Sequence, residues 1–237
     1  MIADIRTIKA TGSTNDDVAA LARAGQPEGF WLRAETQTGG RGRHGRAWQS
    51  PPGNLYASTI VRLAPGDPSP ATLAMVAALA LHQVALAYGG EGRTALKWPN
   101  DLLLDGAKLS GILLESCDGA IVIGFGVNLA HRPEGLDRTT ASFAAAGLGA
   151  PDPDAFLVDL ADAFARWLGR WRNEGLAAIR REWLARAHPP GTPLRTTGPD
   201  GQVVDGLFEG LDESGALKLR LADGSVHLLH AGDVFLI

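Results

Sequence analysis

The sequence has few of the features that mark secreted and membrane proteins. It contains one cysteine among 237 residues, Cys117, so no disulfide can form within the chain. Such cysteine usage is typical of a reducing compartment. The first residues, MIADIRTIKATGSTND, lack the apolar core of a signal peptide. The most apolar long stretch, 71–87, is interrupted by His82 and Gln83 and is short for a bilayer span. We therefore expect a cytoplasmic protein that does not associate with membranes.

Positive charge is not in excess either. Lys and Arg number 22 against 26 Asp and Glu, which gives a net charge of -4 at pH 7 with neutral histidines. A chain with this charge has no overall attraction for nucleic acid, so any positive site must be local. We therefore expect no DNA partner.

The sequence also lacks the spacings of common metal and hydrolytic sites. Its six histidines show no spacing typical of metal ligands. No pair of carboxylates and no Ser-His-Asp set stands out, which argues against a serine hydrolase. The composition is otherwise ordinary, with 45% hydrophobic and 20% charged residues, and a chain of this length can bury a self-sufficient core.

The first half of the chain predicts a mixture of helices and strands. Ser13 and Asp16 have the spacing of a capping box, which predicts a helix over 13–24. Strands are predicted over 30–34 and through NLYASTIVRL, and an apolar helix that a Gly-Gly pair closes is predicted over 71–88. The runs ALKW, LLL, AKLSGILLE and AIVIGFGVNL follow, separated by PND and by two Asp-Gly pairs. Asp-Gly between apolar runs is a strong hairpin signal, so these runs predict an antiparallel meander.

The second half predicts helices and then a small β domain. Two or three helices are predicted over 154–187. Three tryptophans of this region are expected to face the core, namely Trp167, Trp171 and Trp183. The composition changes at HPPGTP, residues 188–193, after which short strands alternate with turn residues, the pattern of a small β-barrel. We therefore predict a domain of residues 1–189 and a second domain of residues 190–237.

The segment GGRGRHGRAW contains the string G-x-G-x-x-G over 40–45, which also occurs in dinucleotide-binding turns. In those turns a helix begins at the third glycine and holds the pyrophosphate at its N-terminus. Here SPPG and a strand follow instead, so that helix cannot form. The glycines and three arginines, Arg41, Arg43 and Arg46, predict a loop that binds phosphate or carboxylate. A solvated basic loop is the alternative.

The segment KWPND places two polar side chains directly after a predicted strand. Pro99 ends that strand and leaves Asn100 and Asp101 at an edge of the sheet. An amide there can serve as a hydrogen-bond partner, and a carboxylate can serve as a metal ligand. A simple turn is an equally good interpretation of these residues alone.

Lys108 follows in the next hairpin arm, where strand periodicity predicts that it shares a face with Ser110 and Ile112. A lysine on an apolar face is unfavourable without an anionic partner, so its position predicts an ion pair. In GFGVNL, Asn128 follows a strand that contains two glycines. Glycine within a strand often marks the close approach of a ligand or of another backbone, and an amide at such a point can bind a base edge or a ribose.

Five segments taken in order, GSTND, ETQTGGRGRHGRAW, KWPND, KLSGILLE and GFGVNL, resemble the biotin protein ligase family in the form that lacks an N-terminal DNA-binding domain. The resemblance implies an α/β (α+β) fold, with a mixed β-sheet flanked by helices as in class II synthetases and biotin–lipoate ligases. It also implies a small C-terminal SH3-like β-barrel. The implied reaction joins biotin and MgATP into biotinyl-5′-adenylate, and biotin then passes to a lysine on the biotin carboxyl carrier domain of a carboxylase. A homodimer is compatible with this family.

The resemblance also implies roles for individual residues. The implied biotin pocket consists of Ser13, Thr14, Asn15, Gln37, Arg41, Gly42, Arg43, Lys108 and Gly111. The implied ATP contacts are Arg43, Arg46, Trp48, Asn100, Asp101, Lys108 and Asn128. Lys108 and Arg43 are the implied catalytic residues, Asp101 is the implied Mg²⁺ ligand, and Asn100 and Asn128 are the implied readers of adenine.

Elementary chemistry agrees with these residue types. The carboxylate of biotin is ionised at neutral pH, so its activation needs no general base. The reaction instead requires that the repulsion between carboxylate and α-phosphate be cancelled, which Lys108, Arg43 and Mg²⁺ can do. In the second step the acceptor lysine must lose a proton, and Asp101 is a candidate base. The Gly-Arg loop must keep water from the adenylate, so we expect it to be mobile when empty and ordered when filled.

Three alternatives differ from this interpretation at specific residues. A lipoate or octanoate ligase has a related fold, but its glycine-rich segment usually ends in histidine and aspartate rather than in GRGRHGR. A DNA-binding biotin repressor needs a basic helix upstream of GSTND, and the residues before Gly12 contain none. A biotin-binding module without activity would need neither Lys108 nor arginines directed at phosphates.

Overall fold

The computed structural model describes residues 3–89, 91–135, 139–197 and 201–237, which form two β-sheets and three α-helices. The strands are β1 Asp4–Thr11, β2 Phe30–Gln37, β3 Leu55–Arg62, β4 Thr94–Lys97, β5 Asp101–Leu104, β6 Ala107–Cys117, β7 Ala120–Val127, β8 Pro193–Thr197, β9 Val203–Leu211, β10 Leu217–Arg220, β11 Val226–Leu229 and β12 Asp233–Leu236. The helices are α1 Thr14–Arg23, α2 Leu73–Gly89 and α3 Pro153–Leu184.

The large sheet has seven strands in the order β1-β2-β3-β7-β6-β5-β4. β1 and β2 are parallel, and the other described neighbours are antiparallel. The predicted meander is confirmed as β4 to β7. Asp105 and Asp118 have φ angles of 50° and 43°, and Gly106 and Gly119 both have a φ of 77°. Two consecutive positive φ angles are what a type I′ hairpin turn requires, which explains why Asp-Gly marks both turns.

β1 is absent from the sequence-based prediction. It is an edge strand with mostly exposed residues, and it lacks the two-residue alternation that marks a half-buried strand. Its partner β2 lies beyond α1, because a parallel pair needs a crossover rather than a hairpin. Local sequence patterns do not carry that information.

The two shorter helices begin differently from the prediction. Ser13 is at the N-cap position of α1, but its side chain makes no capping hydrogen bond, so the predicted capping box is wrong. Its other member, Asp16, binds Arg41 instead. α2 begins at Leu73, two residues later than predicted, because a 3₁₀ turn occupies Pro70–Thr72.

α3 corresponds to the region predicted as two or three helices. Its backbone is interrupted at Gly175, where φ is 74° and ψ is -179°, so it consists of two helical segments. Asp152 caps its start, since Oδ1 accepts hydrogen bonds from the N–H groups of Asp154 and Ala155 at 3.0 and 2.8 Å. The three tryptophans are buried as predicted, Trp167, Trp171 and Trp183.

α2 is the central core helix and packs against α3 and the large sheet. By length and composition alone, the helical stretch Pro70–Gly89 of the described chain is apolar enough to cross a membrane. Its apolar window is 67% buried inside the structure, as expected of a core helix. Gly90, the second residue of the Gly-Gly pair predicted to close this helix, lies outside the described residues.

The small sheet is antiparallel, with the order β11-β10-β9-β8-β12. No ladder joins β11 to β12 among the described strands. The turn GPDG, predicted to separate two of these strands, lies mostly outside the described residues. Buried side chains of the small sheet belong to the same core as α2 and α3, among them Leu194, Phe208, Leu217, Leu219 and Val234. Trp98 Nε1 also donates to the carbonyl of Gly215 at 3.1 Å. The boundary between residues 189 and 190 stays a prediction.

Two buried histidines make folding sensitive to pH. Burial, assisted by the Arg186 charge, lowers the pKa of His82 to about 4. Burial, assisted by Lys97, lowers the pKa of His188 to about 4, and its ring lies edge-on against Phe208 at 4.3 Å between centroids. Both histidines are therefore neutral in the folded chain at pH values where an exposed histidine takes up a proton.

We expect the free energy of unfolding to fall as the pH decreases from 6.5 towards 4, because the unfolded chain then binds protons that the folded chain excludes. At pH 5 the loss is about 2 kcal/mol for each histidine. His188→Phe should remove its share of this loss, whereas His227→Gln at an exposed position should not. Urea denaturation at pH 7.5 and pH 5 measures the difference, and identical pH dependence in His188→Phe and the unsubstituted protein would contradict the expectation.

Candidate active site

A cavity of about 390 Å³ lies where the start of α1, the Gly-Arg segment, strands β5 to β7 and the end of the small sheet meet. A cavity of this volume accommodates a small-molecule ligand. The site residues implied by the sequence that line it are Ser13, Thr14, Asn15, Gln37, Arg41, Gly42, Arg43, Arg46, Trp48, Asn100, Asp101, Lys108 and Gly111. The fold therefore gathers distant segments of the chain around one cavity.

Asn128 lies outside this cavity, so its placement does not support the predicted contact with adenine. Its side chain is buried, and Nδ2 donates to the Ala141 carbonyl at 3.0 Å. Its backbone N–H donates to the Leu109 carbonyl at 3.0 Å, and its carbonyl accepts from the Phe143 N–H at 3.3 Å. These bonds fasten the residue after β7 to β6 and to the following chain, which is a structural role.

Asn100 lines the cavity, but its side chain also has a partner within the protein. Nδ2 donates to the Ile112 carbonyl at 2.6 Å, and the Asn100 carbonyl accepts from the Ile112 N–H at 3.0 Å. This pair of bonds holds the PND turn against β6. The interpretation of PND as a simple turn therefore accounts for the side-chain bond of Asn100. It does not account for Asp101, whose partners are described below.

The floor of the cavity is made of glycine in β6 and β7. A Cβ atom on Gly126 would lie 2.5 Å from Trp48 Cε2, and one on Gly111 would lie 3.1 Å from the same indole ring. A Cβ atom on Gly124 would overlap the side-chain amide of Asn15. The strand glycines of GFGVNL therefore mark close approach, but the groups that approach are the side chains of Trp48 and Asn15 rather than another backbone, and the approach of a ligand stays a prediction.

Two lysines share one buried carboxylate at the side of the cavity. Asp101 is 5% exposed, and Lys108 Nζ donates to its Oδ1 while Lys97 Nζ lies 3.2 Å from its Oδ2. The anionic partner predicted for Lys108 is thereby confirmed. Lys97 was not among the predicted site residues, although its spacing of four residues from Asp101 within KWPND was visible in the sequence.

A β-bulge in β6 determines the direction of Lys108. Lys108 and Ser110 pair with consecutive residues of β5, so Leu109 between them is an extra residue. The bulge shifts the alternation of the strand, and Lys108 shares its face with Gly111, whose added Cβ would lie 3.3 Å from Lys108 Nζ. The predicted face shared with Ser110 and Ile112 is therefore wrong.

The chemistry open to Asp101 is limited by its two cations. Burial raises the pKa of this carboxyl, but Lys108 and Lys97 together outweigh burial and hold the pKa below its usual value. Such a carboxylate is a weak base, which argues against the predicted general base role. It does not fit the predicted metal role either, because both oxygens face ammonium groups. Among the described residues, no group of three or more His, Cys, Asp or Glu side chains could hold a metal ion.

Three polar residues that line the cavity, Thr14, Asn15 and Gln37, belong to a network of neutral hydrogen-bonding groups. Gln37 Oε1 accepts from the Thr14 N–H at 2.8 Å and from Thr14 Oγ1 at 3.1 Å. Ser58 Oγ lies 2.7 Å from Thr14 Oγ1 and 2.6 Å from Asn15 Oδ1. Gln37 Nε2 donates to Ser50 Oγ at 3.2 Å. The network fixes the predicted residues Thr14, Asn15 and Gln37, and its serines were not predicted from the sequence.

The Gly-Arg segment forms a small hairpin along the cavity. The Gly42 N–H donates to the Arg46 carbonyl at 2.7 Å, and the Trp48 N–H donates to the Gly40 carbonyl at 2.8 Å. His44 has a φ of 57° at the turn. The expected mobility of this loop without ligand stays a prediction.

Arg41 at the start of this hairpin is held by two acids. Nη1 donates to Asp16 Oδ2 at 2.7 Å, and Nη2 binds Asp16 Oδ1 and lies 3.3 Å from Glu115 Oε1. The hydrogen bond from Arg41 lowers the pKa of Asp16, and the same bond is the main reason why the pKa of Arg41 is raised. Neither acid was among the predicted site residues.

The other two arginines of the hairpin contact the small sheet. Arg43 Nη1 donates to the Gly232 carbonyl at 3.0 Å, and Arg46 Nη2 donates to Asp233 Oδ2. Burial lowers the pKa of Arg43, against the opposing effects of Asp233 and Asp101. Arg43 is therefore a partly desolvated cation, which increases its attraction for an incoming anion.

The small sheet supplies part of the cavity wall. Val234, Phe235 and Leu236 line the opening, and Lys97 Nζ donates to the Val234 carbonyl at 2.7 Å. No residue from 194 to 237 was singled out from the sequence. The contact between β4 and β12 spans more than half of the chain, so no local pattern could have indicated it.

The Biotin/lipoate A/B protein ligase family matches residues 8–128 of this sequence, and the Biotin protein ligase C terminal domain matches residues 195–237. The first match includes the glycine floor (Gly111, Gly124 and Gly126), the arginine hairpin of residues 40–48, and the Lys-Asp-Lys group of Lys97, Asp101 and Lys108. The chain belongs to the biotin/lipoate A/B protein ligase family. The resemblance carried by the five sequence segments is thereby confirmed, and the second match agrees with the small sheet.

Relatives of this ligase chain agree with the family. It is 42% identical to the biotin–acetyl-CoA-carboxylase ligase of Paracoccus denitrificans, over 95% of this chain and 97% of that protein. Its fold is similar to that of the biotin protein ligase of Aquifex aeolicus in complex with biotin and ATP, with a TM-score of 0.87 and 22% identity over 99% of both chains. The biotin protein ligase of Leishmania major in complex with biotinyl-5-AMP gives a TM-score of 0.65 at 26% identity, over 96% of this chain and 99% of that one. The predicted mixed α/β fold is confirmed.

We expect Asp233→Asn to loosen the arginine hairpin of this ligase, because it removes the ion pair between Arg46 and the small sheet. An ion pair that is partly exposed contributes modestly, so tryptic cleavage after Arg43 or Arg46 should accelerate roughly twofold to fivefold without ligand. Asp223→Asn provides the control, because Asp223 is exposed and accepts hydrogen bonds within its own turn, from the N–H and hydroxyl of Ser225. Equal cleavage rates in Asp233→Asn and the unsubstituted protein would refute a role for this contact in closing the hairpin.

Proposed function

We propose that this chain activates biotin with MgATP as biotinyl-5′-adenylate, releases pyrophosphate, and transfers biotin to a lysine on the biotin carboxyl carrier domain of a carboxylase. Membership of the ligase family and the biotin ligases among its relatives support the reaction. The observation that carries the proposal is the arrangement of Lys97, Asp101 and Lys108 beside two arginines of the hairpin.

The first step joins two anions, the carboxylate of biotin and the α-phosphate of ATP. The carboxylate oxygen attacks phosphorus, and pyrophosphate leaves with the electrons of the broken P–O bond. Lys97 and Lys108 exceed the charge of Asp101 by one, so the group keeps a net positive charge beside the cavity. Arg43 adds a second, partly desolvated cation. Preorganised charge of this kind stabilises the crowded, negatively charged transition state without reorganisation during the reaction.

The two ends of the cavity suit the two ends of the intermediate. Thr14 and Gln37, which Asn15 and Ser58 hold in place, suit the cyclic urea of biotin, which carries two N–H donors and one carbonyl acceptor. The lysine and arginine end suits the phosphates. The indole of Trp48 lies between these ends, with Lys108 Nζ 5.7 Å from its ring centroid.

Magnesium enters this proposal as part of the substrate MgATP. Mg²⁺ commonly keeps several waters and is bound through substrate phosphates rather than a protein cage. Asp101 is paired with two lysines, so we assign it the role of holding these lysines in place. The proposal therefore contains no step in which Asp101 binds the metal ion.

The second step needs a neutral amine on the carrier lysine. We propose that the net positive charge of the cavity lowers the pKa of the incoming ammonium group, since like charges disfavour the protonated form. The ammonium gives one proton to solvent, and the neutral amine nitrogen then attacks the biotinyl carbonyl. An amide bond forms as AMP leaves with the electrons of the broken anhydride bond, and the nitrogen loses its second proton to solvent. Asp101 is not required as a base in this scheme.

The cytoplasmic location, the absence of DNA and membrane partners, and the possibility of a homodimer remain predictions from the sequence. The lipoate or octanoate alternative is not favoured, because the relatives above are biotin ligases. Pyrophosphate release with biotin, lipoate or octanoate as the acid distinguishes the two activities. We expect release that depends on biotin, and release that depends on lipoate or octanoate alone would overturn the proposal.

We expect Lys108→Ala to fold normally and to lower the rate of pyrophosphate release with biotin by about 100-fold, the usual effect of losing one preorganised donor. The substitution leaves Asp101 paired with Lys97, so no buried carboxylate becomes unpaired. Lys218→Ala in the small sheet, where the lysine lies 3.8 Å from Glu209, is the matched control. Thermal unfolding verifies that both variants are folded, and pyrophosphate release near the unsubstituted rate in Lys108→Ala would refute its catalytic role.

A further inference from the structure

Glu115 connects the polar end of the cavity to the arginine hairpin through its two carboxylate oxygens. Oε2 accepts from Asn15 Nδ2 at 2.6 Å, and Oε1 lies 3.3 Å from Arg41 Nη2. We propose that Glu115 is a positioning residue that couples occupancy of the biotin pocket to retention of the adenylate by the hairpin. This inference rests on the proposed function, because it assigns biotin to the pocket and the adenylate to the space beneath the hairpin.

The Asn15 side chain cannot adjust independently of Glu115. Its Oδ1 is 2.6 Å from Ser58 Oγ, and its amide packs directly against the backbone of Gly124. With both polar atoms of the amide bonded within the protein, Asn15 is better described as part of the pocket frame than as a direct ligand. If Asn15 moves when the pocket fills, the Glu115 carboxylate that accepts its hydrogen bond must move with it.

The hairpin end of the connection is equally constrained. Arg41 binds Asp16 through both terminal nitrogens and Glu115 through one of them. Asp16 alone neutralises the charge of Arg41. The additional bond to Glu115 therefore fixes the orientation of the Arg41 side chain. The backbone immediately after Arg41 continues into Gly42, whose N–H donates to the Arg46 carbonyl and closes the hairpin. Fixing Arg41 therefore fixes the base of the hairpin.

The strand places Glu115 where this connection is possible. Residues 111, 113 and 115 of β6 share one face by the two-residue period, and Gly111 on that face contributes to the cavity floor. Glu115 is the last residue of KLSGILLE, a segment whose lysine has a proposed catalytic role but whose acid has had none. Its side chain is 36% exposed and is not needed for the core.

Glu115→Gln keeps the hydrogen bond from Asn15 and removes the one from Arg41. The side-chain shape is kept, and the amide oxygen can still accept from Asn15, but the NH₂ group that replaces the second oxygen cannot accept from Arg41. We expect the ratio of biotinyl-adenylate release to adenylate formation to rise roughly fivefold to tenfold, the effect of one charge-assisted bond at a partly exposed site. Formation is measured as single-turnover pyrophosphate release. Adenylate release is measured as the loss of radiolabelled biotin from gel-filtered enzyme.

Arg41→Ala tests the proposed route. If Glu115 acts through Arg41, Glu115→Gln should have no additional effect on adenylate release in an Arg41→Ala background. Additive effects of the two substitutions would overturn the inference. Glu35→Gln, at an exposed position of β2 in the same sheet, is the matched control and should leave the ratio unchanged.

A second acid keeps the test decisive if Glu115→Gln folds poorly. Asp16→Asn weakens the other hold on Arg41 without altering β6, and it should also raise the ratio of release to formation. An unchanged ratio in both acid variants overturns the inference, as does a proportional decrease of formation and release. If the unsubstituted enzyme forms no adenylate from biotin and ATP, the proposed function fails, which is a different result from a normal adenylate that is retained equally well in every variant.

Discussion

A carboxylate buried between two ammonium groups is the interaction on which the rest of this site depends. Asp101 lies where β4 passes into β5, and its two lysines come from β4 and from the bulged start of β6. Removing one carboxylate from water is unfavourable unless charged partners and hydrogen bonds compensate, and here two cations do so. The result is a net positive group that is fixed in space beside a cavity. Because Lys97 also donates to the Val234 carbonyl, the same group fastens the small sheet to the large one.

The arginine hairpin lies between the large sheet with α1 and the small sheet, and it is bonded to both. Its first arginine is bonded to acids of α1 and β6, and its last is bonded to an acid at the start of β12. The small sheet thus has a role in the site beyond packing. Its buried side chains belong to the same core as α2 and α3.

Much of this structure could be predicted from the sequence, for identifiable reasons. Asp-Gly pairs with positive φ mark the hairpins, and an all-round apolar segment marks the buried helix α2. The motif segments led to thirteen of the residues that line the cavity. These features depend on neighbouring residues, or on motifs that a family shares, so they are visible before folding.

What the sequence did not indicate has a common physical origin. The adenine contact of Asn128 stays a prediction, and its amide donates to the Ala141 carbonyl, a partner outside GFGVNL. The direction of Lys108 depends on one extra residue in β6, which strand periodicity alone does not reveal. Asp233 and Glu115 bind arginines at separations of 187 and 74 residues. Nothing in the sequence around Asp233 distinguishes it from other acids, and the segment KLSGILLE that ends in Glu115 does not indicate its partner.

The glycine floor has a consequence for how this pocket can change over time. Gly111, Gly124 and Gly126 present peptide backbone to whatever lies above them, and the space that a side chain would need is already taken by Trp48 and Asn15. Alanine at Gly124 or Gly126 would place a Cβ atom 2.2 Å from Asn15 Oδ1 or 2.5 Å from the Trp48 indole, so a substitution there requires Asn15 or Trp48 to move. A changed preference for the carboxylic acid substrate therefore has to evolve through side chains at the rim of the cavity. The glycine floor then limits the width of any ligand that the cavity accepts.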